Sequence, residues 1–198
     1  MNRLAYIILF FVFILLFNSS CGLFQTRTPE EPEGNNTNFP PPTTPQIVMD
    51  NFLRSFNQKN LTVYQSCFSD DSATKFMFYP SSDVFSVYPN LFSAWDLSSE
   101  IDFAKNLFSK FSVESYPVLL FTNPNLTAFS PDSTIFVSDY ILDINSRDNS
   151  INNSYKGTAQ FVLKINRNGL WKITQWLDFI SKNGNYPTFS VLKAKVKS

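Results

Sequence analysis

The chain has 198 residues, 43% hydrophobic and 17% aromatic with 22 Phe, and it carries 16 basic against 16 acidic side chains, no His and two Cys. That length suits one domain with appendages, the apolar fraction excludes a wholly disordered chain, and the even charge leaves no basic footprint for a nucleic-acid partner. With no His and only Cys21 and Cys67, neither a Ser-His-Asp nor a Cys-His site nor the usual zinc ligand sets can be built, so no catalytic residue, metal or cofactor is expected.

Residues 1–20 read as an export signal. Arg3 supplies the positive start, and Leu4 to Phe17 is an unbroken apolar run of 14 residues. As a helix at about 1.5 Å per residue it reaches about 21 Å, short of the roughly 30 Å hydrocarbon core, so it is an h-region before it is a span. Ser19 and Ser20 then precede Cys21 and Gly22, which resembles the lipobox of bacterial lipoproteins. The resemblance implies that Cys21 is the acylated first residue of the mature chain. It places the protein in the bacterial cell envelope, lipid-anchored, and Gly22 points to the outer membrane and its periplasmic side. Asn18 stands where a lipobox usually has Leu, which leaves open an ordinary cleaved signal or an uncleaved anchor continuing into Leu23 and Phe24.

Residues 21–44 form the next segment. Six of the 12 Pro fall between Gln25 and Pro45, and Pro40-Pro41-Pro42 favours extended polyproline II, so this stretch reads as a disordered tether. Beyond Cys21 the only cysteine is Cys67, which has no partner for an intramolecular disulfide and, flanked by Tyr64 and Phe68, is expected as a small buried hydrophobe.

A single domain is expected over residues 45–180. Thr44-Pro45 opens a helix in which Val48, Met49, Phe52, Leu53 and Phe56 form the apolar stripe, ending near Lys59. Leu61 to Phe68 reads as a second short helix that ends at Ser69-Asp70-Asp71. Ala73 to Tyr79 and Asp83 to Tyr88 read as short strands around Pro80, or as a strand and an irregular lid. Ser98 or Ser99 caps a third helix whose stripe is Ile101, Ala104, Leu107, Phe108 and Phe111.

From Val113 to Phe179 the pattern is sheet. Pro117 demotes the first strand to an edge or a bulge, Thr134 to Ile144 is the second, and Tyr155 to Asn166 alternates with Tyr155, Gly157, Ala159, Phe161, Leu163 and Ile165 on one face. Asn166-Arg167-Asn168-Gly169 then turns the chain into Leu170 to Phe179, where Trp171, Ile173, Leu177 and Phe179 share the inner parity. Residues 181–198 are the tail. Leu192, Ala194 and Val196 alternate with Lys193, Lys195 and Lys197, as in an edge strand guarded by Lys; a contact with a membrane surface is the alternative.

This order, the Phe68-Ser69-Asp70-Asp71 segment and the closing Gly169-Leu170-Trp171-Lys172-Ile173 strand resemble the nuclear transport factor 2-like superfamily, shared with ketosteroid isomerases and SnoaL-like cyclases. The resemblance implies an α+β fold in which a curved antiparallel sheet wraps about three helices into a cone with a pocket at its open end. Tyr64, Trp95, Asp139, Tyr140 and Trp176 are the candidate pocket residues, with Asp70, Asp71 and Asp178 as further carboxylates. Asp139 shares parity with Ile135, Val137 and Ile141, and that face is expected to meet solvent or a partner, leaving Phe136, Tyr140, Leu142 and Ile144 inside; Asp178 is expected in solvent unless a bulge intervenes.

Three functions are consistent with the sequence. The first is a non-catalytic, lipid-anchored binding or assembly module for a small hydrophobic ligand or an envelope protein. The second is a cyclase or isomerase of the ketosteroid type acting on a small hydrophobic carbonyl compound, and the third is a scaffold that forms homodimers through the sheet.

Overall fold

The computed structural model describes residues 39–144, 150–181, 184 and 186–197. The expected signal peptide, Cys21 and the expected tether up to residue 38 lie outside the described residues. Among those described, no helix is long and apolar enough to cross a membrane.

Helix α1, Pro45–Asn57, begins where the sequence places it: Thr44 Oγ1 accepts the Ile47 N–H at 3.3 Å, and proline occupies the first turn. It buries Val48, Met49, Phe52 and Phe56. Helix α2, Leu61–Ser66, is capped by the Asn60 carboxamide, which accepts the Val63 N–H at 3.1 Å. Strand β1 is only Met77–Tyr79. The expected strand over Asp83–Tyr88 is instead helix α3, Ser82–Val87, followed by α4, Pro89–Phe92. Pro80 cannot donate to a ladder, and the acidic Asp83 suits a helical first turn better than a strand. Helix α5, Leu97–Ser109, starts two or three residues earlier than expected, because Asp96 rather than Ser98 or Ser99 supplies the N-cap and accepts the Ser99 N–H at 3.0 Å.

Four long strands follow: β2 Val118–Ser130, β3 Ser133–Asp143, β4 Ser154–Ile165 and β5 Trp171–Ile180. The order in the sheet is β1-β5-β4-β3-β2. Neighbours are antiparallel except β1, which runs parallel to β5, so the sheet is mixed where pure antiparallel pairing was expected. β2 is indeed an edge strand, and it starts only after Pro117. The β4–β5 turn has Gly169 at φ 74°, a conformation glycine adopts without steric cost.

β5 departs from its expected alternation. The register slips between Val162 and Leu163 of β4, so Thr174 is an extra residue in β5. Beyond it the inner positions are Trp176 and Asp178, while Leu177 and Phe179 turn outward. The tail departs further: it is helix α6, Phe189–Lys197, packed against α5 and β4. The same Leu-Lys-Ala-Lys-Val-Lys run that alternates with period two also places Phe189, Leu192 and Lys193 on one helical stripe. The described residues thus hold six helices rather than about three.

The last residues of the expected tether, 39–44, are held against the domain. Pro42 O accepts the Trp171 N–H at 2.8 Å, Pro40 O accepts the Asn51 amide at 2.9 Å, and the Arg54 guanidinium lies 4.8 Å from the Phe39 ring centre. Residues 39–44 therefore lie along α1 and the start of β5. One close approach locks the inner face of the sheet: a Cβ at Gly157 would sit 2.6 Å from both Phe179 O and Tyr140 Oη. Gly157→Ala should cost about 1–3 kcal/mol through overpacking, read as a lower urea midpoint.

Candidate functional site

The interior of the cone is filled by its own chain. Phe189 of α6 packs against Trp176, Tyr140 and Phe56, with ring centres 4.8, 5.0 and 5.9 Å away. One turn on, Lys193 is fully buried and forms an ion pair with the equally buried Glu100 of α5. Its ammonium sits 4.1 Å from the Phe78 ring centre, 4.2 Å from Trp176, 4.7 Å from Phe103 and 5.1 Å from Trp95, an aromatic cage of the kind that holds organic cations. Glu100 also accepts the Tyr64 hydroxyl at 2.7 Å and the Trp95 Nε1–H at 2.8 Å. Burial pushes the Lys193 amine down to about 8, against the pull of Glu100, and pushes the Tyr64 phenol well up, with Glu100 adding to the rise.

A second buried network lies at the start of α6. Asp178 accepts the Tyr140 hydroxyl at 2.8 Å, the Ser190 N–H at 2.7 Å and the Ser190 hydroxyl. Tyr140 Oη in turn accepts the Phe189 N–H at 2.7 Å. These bonds supply α6 with the N-terminal partners that a helix lacks internally. Burial raises the Asp178 carboxyl above its ordinary 3.8, and the hydrogen bonds from Ser190 and Tyr140 hold it back. Because the folded value is the higher one, the stabilising contribution is full below pH 3.8 and is lost as pH rises through the folded value. Asp178→Asn should remove this slope, which urea midpoints measured from below pH 3.8 upward would record.

Four of the five residues marked from sequence, Tyr64, Trp95, Tyr140 and Trp176, are therefore brought together in the core, each no more than 1% exposed. None of them lines an open cavity. Trp176 Nε1 is buried without a partner. Asp139 is apart from them, exposed on the outer face, where it accepts the Thr158 hydroxyl. Asp71 accepts the Ala73 N–H at 2.9 Å and pairs with Arg167 at 3.3 Å, the turn role its position suggests. Cys67 is 3% exposed, its thiol pushed up to about 12 by burial. Glu100, Lys193 and Ser190 are the residues that sequence reading missed. Glu100 does lie on the stripe of Phe103, Ala104 and Leu107, and that was its only signal. Among the described residues no group of three acidic or Cys side chains could hold a metal.

An open cavity lies elsewhere. A groove of about 820 Å³ runs between β1, the segment Pro80–Ser82, α3, α4 and the end of β5, Asp178–Ile180. Its walls are Phe78, Tyr79, Phe85, Phe92 and Phe179, and Ser81, Ser82 and Ser93 are its uncharged polar members. Tyr79, Phe85, Phe179 and Ile180 are each 42–45% exposed, a concentration of apolar surface that marks interaction sites.

No protein-family profile matches the chain, and no curated protein is significantly similar to it. Solved structures do resemble it. A nuclear transport factor 2-like superfamily protein from Salmonella enterica superposes with a TM-score of 0.51 at 16% identity, over 71% of this chain and 87% of that one. A conserved protein from Planctomyces limnophilus reaches 0.53 at 10% identity, over 68% and 91%. With five strands in the order β1-β5-β4-β3-β2 and the opening helices on their inner face, the domain has the nuclear transport factor 2-like fold.

Proposed function

We propose that this protein is a lipid-anchored module of the bacterial cell envelope that binds a partner in the groove beside β1 and carries out no chemistry in its cone. The observation that carries the reading is the filled interior. Isomerases of this fold type need a cavity where a base and an oxyanion donor meet the substrate. Here the two groups of that kind, Asp178 and Tyr140, spend their hydrogen bonds on α6, and Phe189 and Lys193 occupy the space above them.

The attachment geometry supports a binding role. Pro42 joins the domain at Trp171, whereas the groove lies at Ile180, the other end of β5. At about 3.3 Å per residue these ends are about 30 Å apart, so a chain moored through Cys21 holds its groove away from the attachment point.

Three measurements test this. Cys21→Ala in the full chain should abolish incorporation of labelled palmitate and release the protein from the membrane fraction; unchanged partitioning would remove the anchor. For the groove, Ser82→Cys labelled with acrylodan reports occupancy, since Cys67 is buried and Cys21 carries lipid. Indole should shift the emission of the full chain in nanodiscs, and Phe85→Glu should abolish the shift. Turnover of an activated carbonyl substrate that Asp178→Asn eliminates would overturn the non-catalytic reading.

A further inference from the structure

The groove has a polar repeat along one wall that a compact apolar ligand could not use. β4 pairs with β5 as far as Ile180, but on the other side β1 covers only Gln175–Leu177. Past Tyr79, β1 cannot continue along β5: Pro80 has no N–H, and the Ser81 N–H donates to Ser190 Oγ at 2.9 Å.

The directions of the remaining backbone groups follow from the ladder. Backbone polar groups of successive strand residues point to opposite sides. Phe179 O lies against the Gly157 position, on the β4 side, so Asp178 and Ile180 direct theirs toward the β1 side, where the Tyr79–Leu177 pairing already takes the Asp178 N–H onto Tyr79 O. Phe78 agrees with this phase, because its N–H donates to Trp95 O at 3.0 Å, away from β5. Among the described residues, the Asp178 C=O and the Ile180 N–H and C=O therefore form a short uncovered sheet edge running along a trough walled by Tyr79, Phe85 and Phe179. The one charged side chain in the lining, Asp178, is 1% exposed and already committed to Tyr140 and Ser190.

We propose that the occupant of the groove is an extended segment of another protein, uncharged and apolar at alternate positions, which adds to Asp178–Ile180 as an extra strand in place of the missing continuation of β1. This rests on the groove being the binding site. A strand supplies both things the trough lacks: N–H and C=O groups at sheet spacing for the β5 edge, and alternate apolar side chains for the Phe85 and Phe179 walls. The edge is about three residues long, so the paired stretch is short and selectivity comes from the side chains against the aromatic walls.

The test uses the acrylodan-labelled Ser82→Cys full chain in nanodiscs and an acetylated, C-terminally amidated Ser-Val-Thr-Phe-Thr-Val-Ser peptide. Two controls isolate the backbone: a peptide N-methylated on the residues of one edge, and the same set on the other edge. The peptide should bind saturably, and one of the methylated forms should bind at least tenfold more weakly. Ile180→Pro deletes a groove-facing N–H without touching the β4 ladder, and it should weaken the peptide by a similar factor while leaving the indole response intact. Equal binding of all three peptides would overturn strand addition, as would an indole response with no peptide response; in both cases the groove itself stands. Silence toward indole and peptide alike would remove the groove reading with it. Concentration-dependent dimerisation abolished by Phe85→Glu would make a second copy the occupant and likewise overturn the proposal.

Discussion

Replacing Lys193 by Met should remove about 3–5 kcal/mol of stability, because it keeps the volume of the side chain but leaves the Glu100 carboxylate buried with no cation. The four rings around the ammonium cannot compensate, since an aromatic face attracts positive charge and offers a carboxylate nothing. The loss appears as a lower urea midpoint at unchanged slope. The double variant Glu100→Gln, Lys193→Met should recover most of it, because a neutral amide can still accept from Tyr64 or Trp95. A single variant as stable as the parent would mean that the pair is not dry in solution.

The same pair sets an alkaline signature. Lys193 titrates at about 8 in the folded chain and at 10.5 in the unfolded one. Between those values the unfolded state holds the extra proton, so stability rises with pH. Glu100 and Asp178 act to retain the Lys193 proton, and Lys197 acts to expel it. Above pH 10 the trend reverses, because Tyr64 and Tyr140, raised by burial, keep protons that the unfolded chain releases. Lys193→Met should therefore flatten the rise and keep the fall.

The sequence showed much of the scaffold and little of the site, for a physical reason. Thr44-Pro45, the stripe of α1, the clean alternation of β4 and the Asn168-Gly169 turn are local signals, each read over a few neighbouring residues. Asp178 was misplaced by a single inserted residue, Thr174, whose effect is to exchange the two faces of β5 beyond it. No local signal announces a bulge that depends on how Val162 and Leu163 of the partner strand pack. The tail differs from its expected strand because Leu-Lys-Ala-Lys-Val-Lys fits two periods, and burial against α5 and β4 selects the helical one. Lys193 reads as solvent-facing because it carries charge and alternates with Leu192 and Ala194; its partner is 93 residues earlier in the chain.

Ending the chain after Tyr186 follows from that correction and is the more severe experiment. Read as an edge strand, the tail would contribute modestly, and truncation would lower the midpoint a little. As α6 it supplies Phe189, Leu192, Lys193 and Ala194 to the core, all no more than 2% exposed. Deleting a buried Phe or Leu side chain alone costs about 2–5 kcal/mol. Truncation also strips Glu100 of its cation and Asp178 of the Ser190 donors, and it opens the cone to water. These losses together reach the 5–15 kcal/mol that holds a typical domain folded, so the truncated chain should show no cooperative urea transition. A synthetic peptide spanning Thr188 to Lys197, added in excess, should restore the transition by mass action on the folded state, and the same peptide with Met in place of Lys193 should restore it poorly. A truncated chain that unfolds within about 1 kcal/mol of the parent would show that α6 is not part of the core, and the filled cone on which the non-catalytic reading stands would go with it.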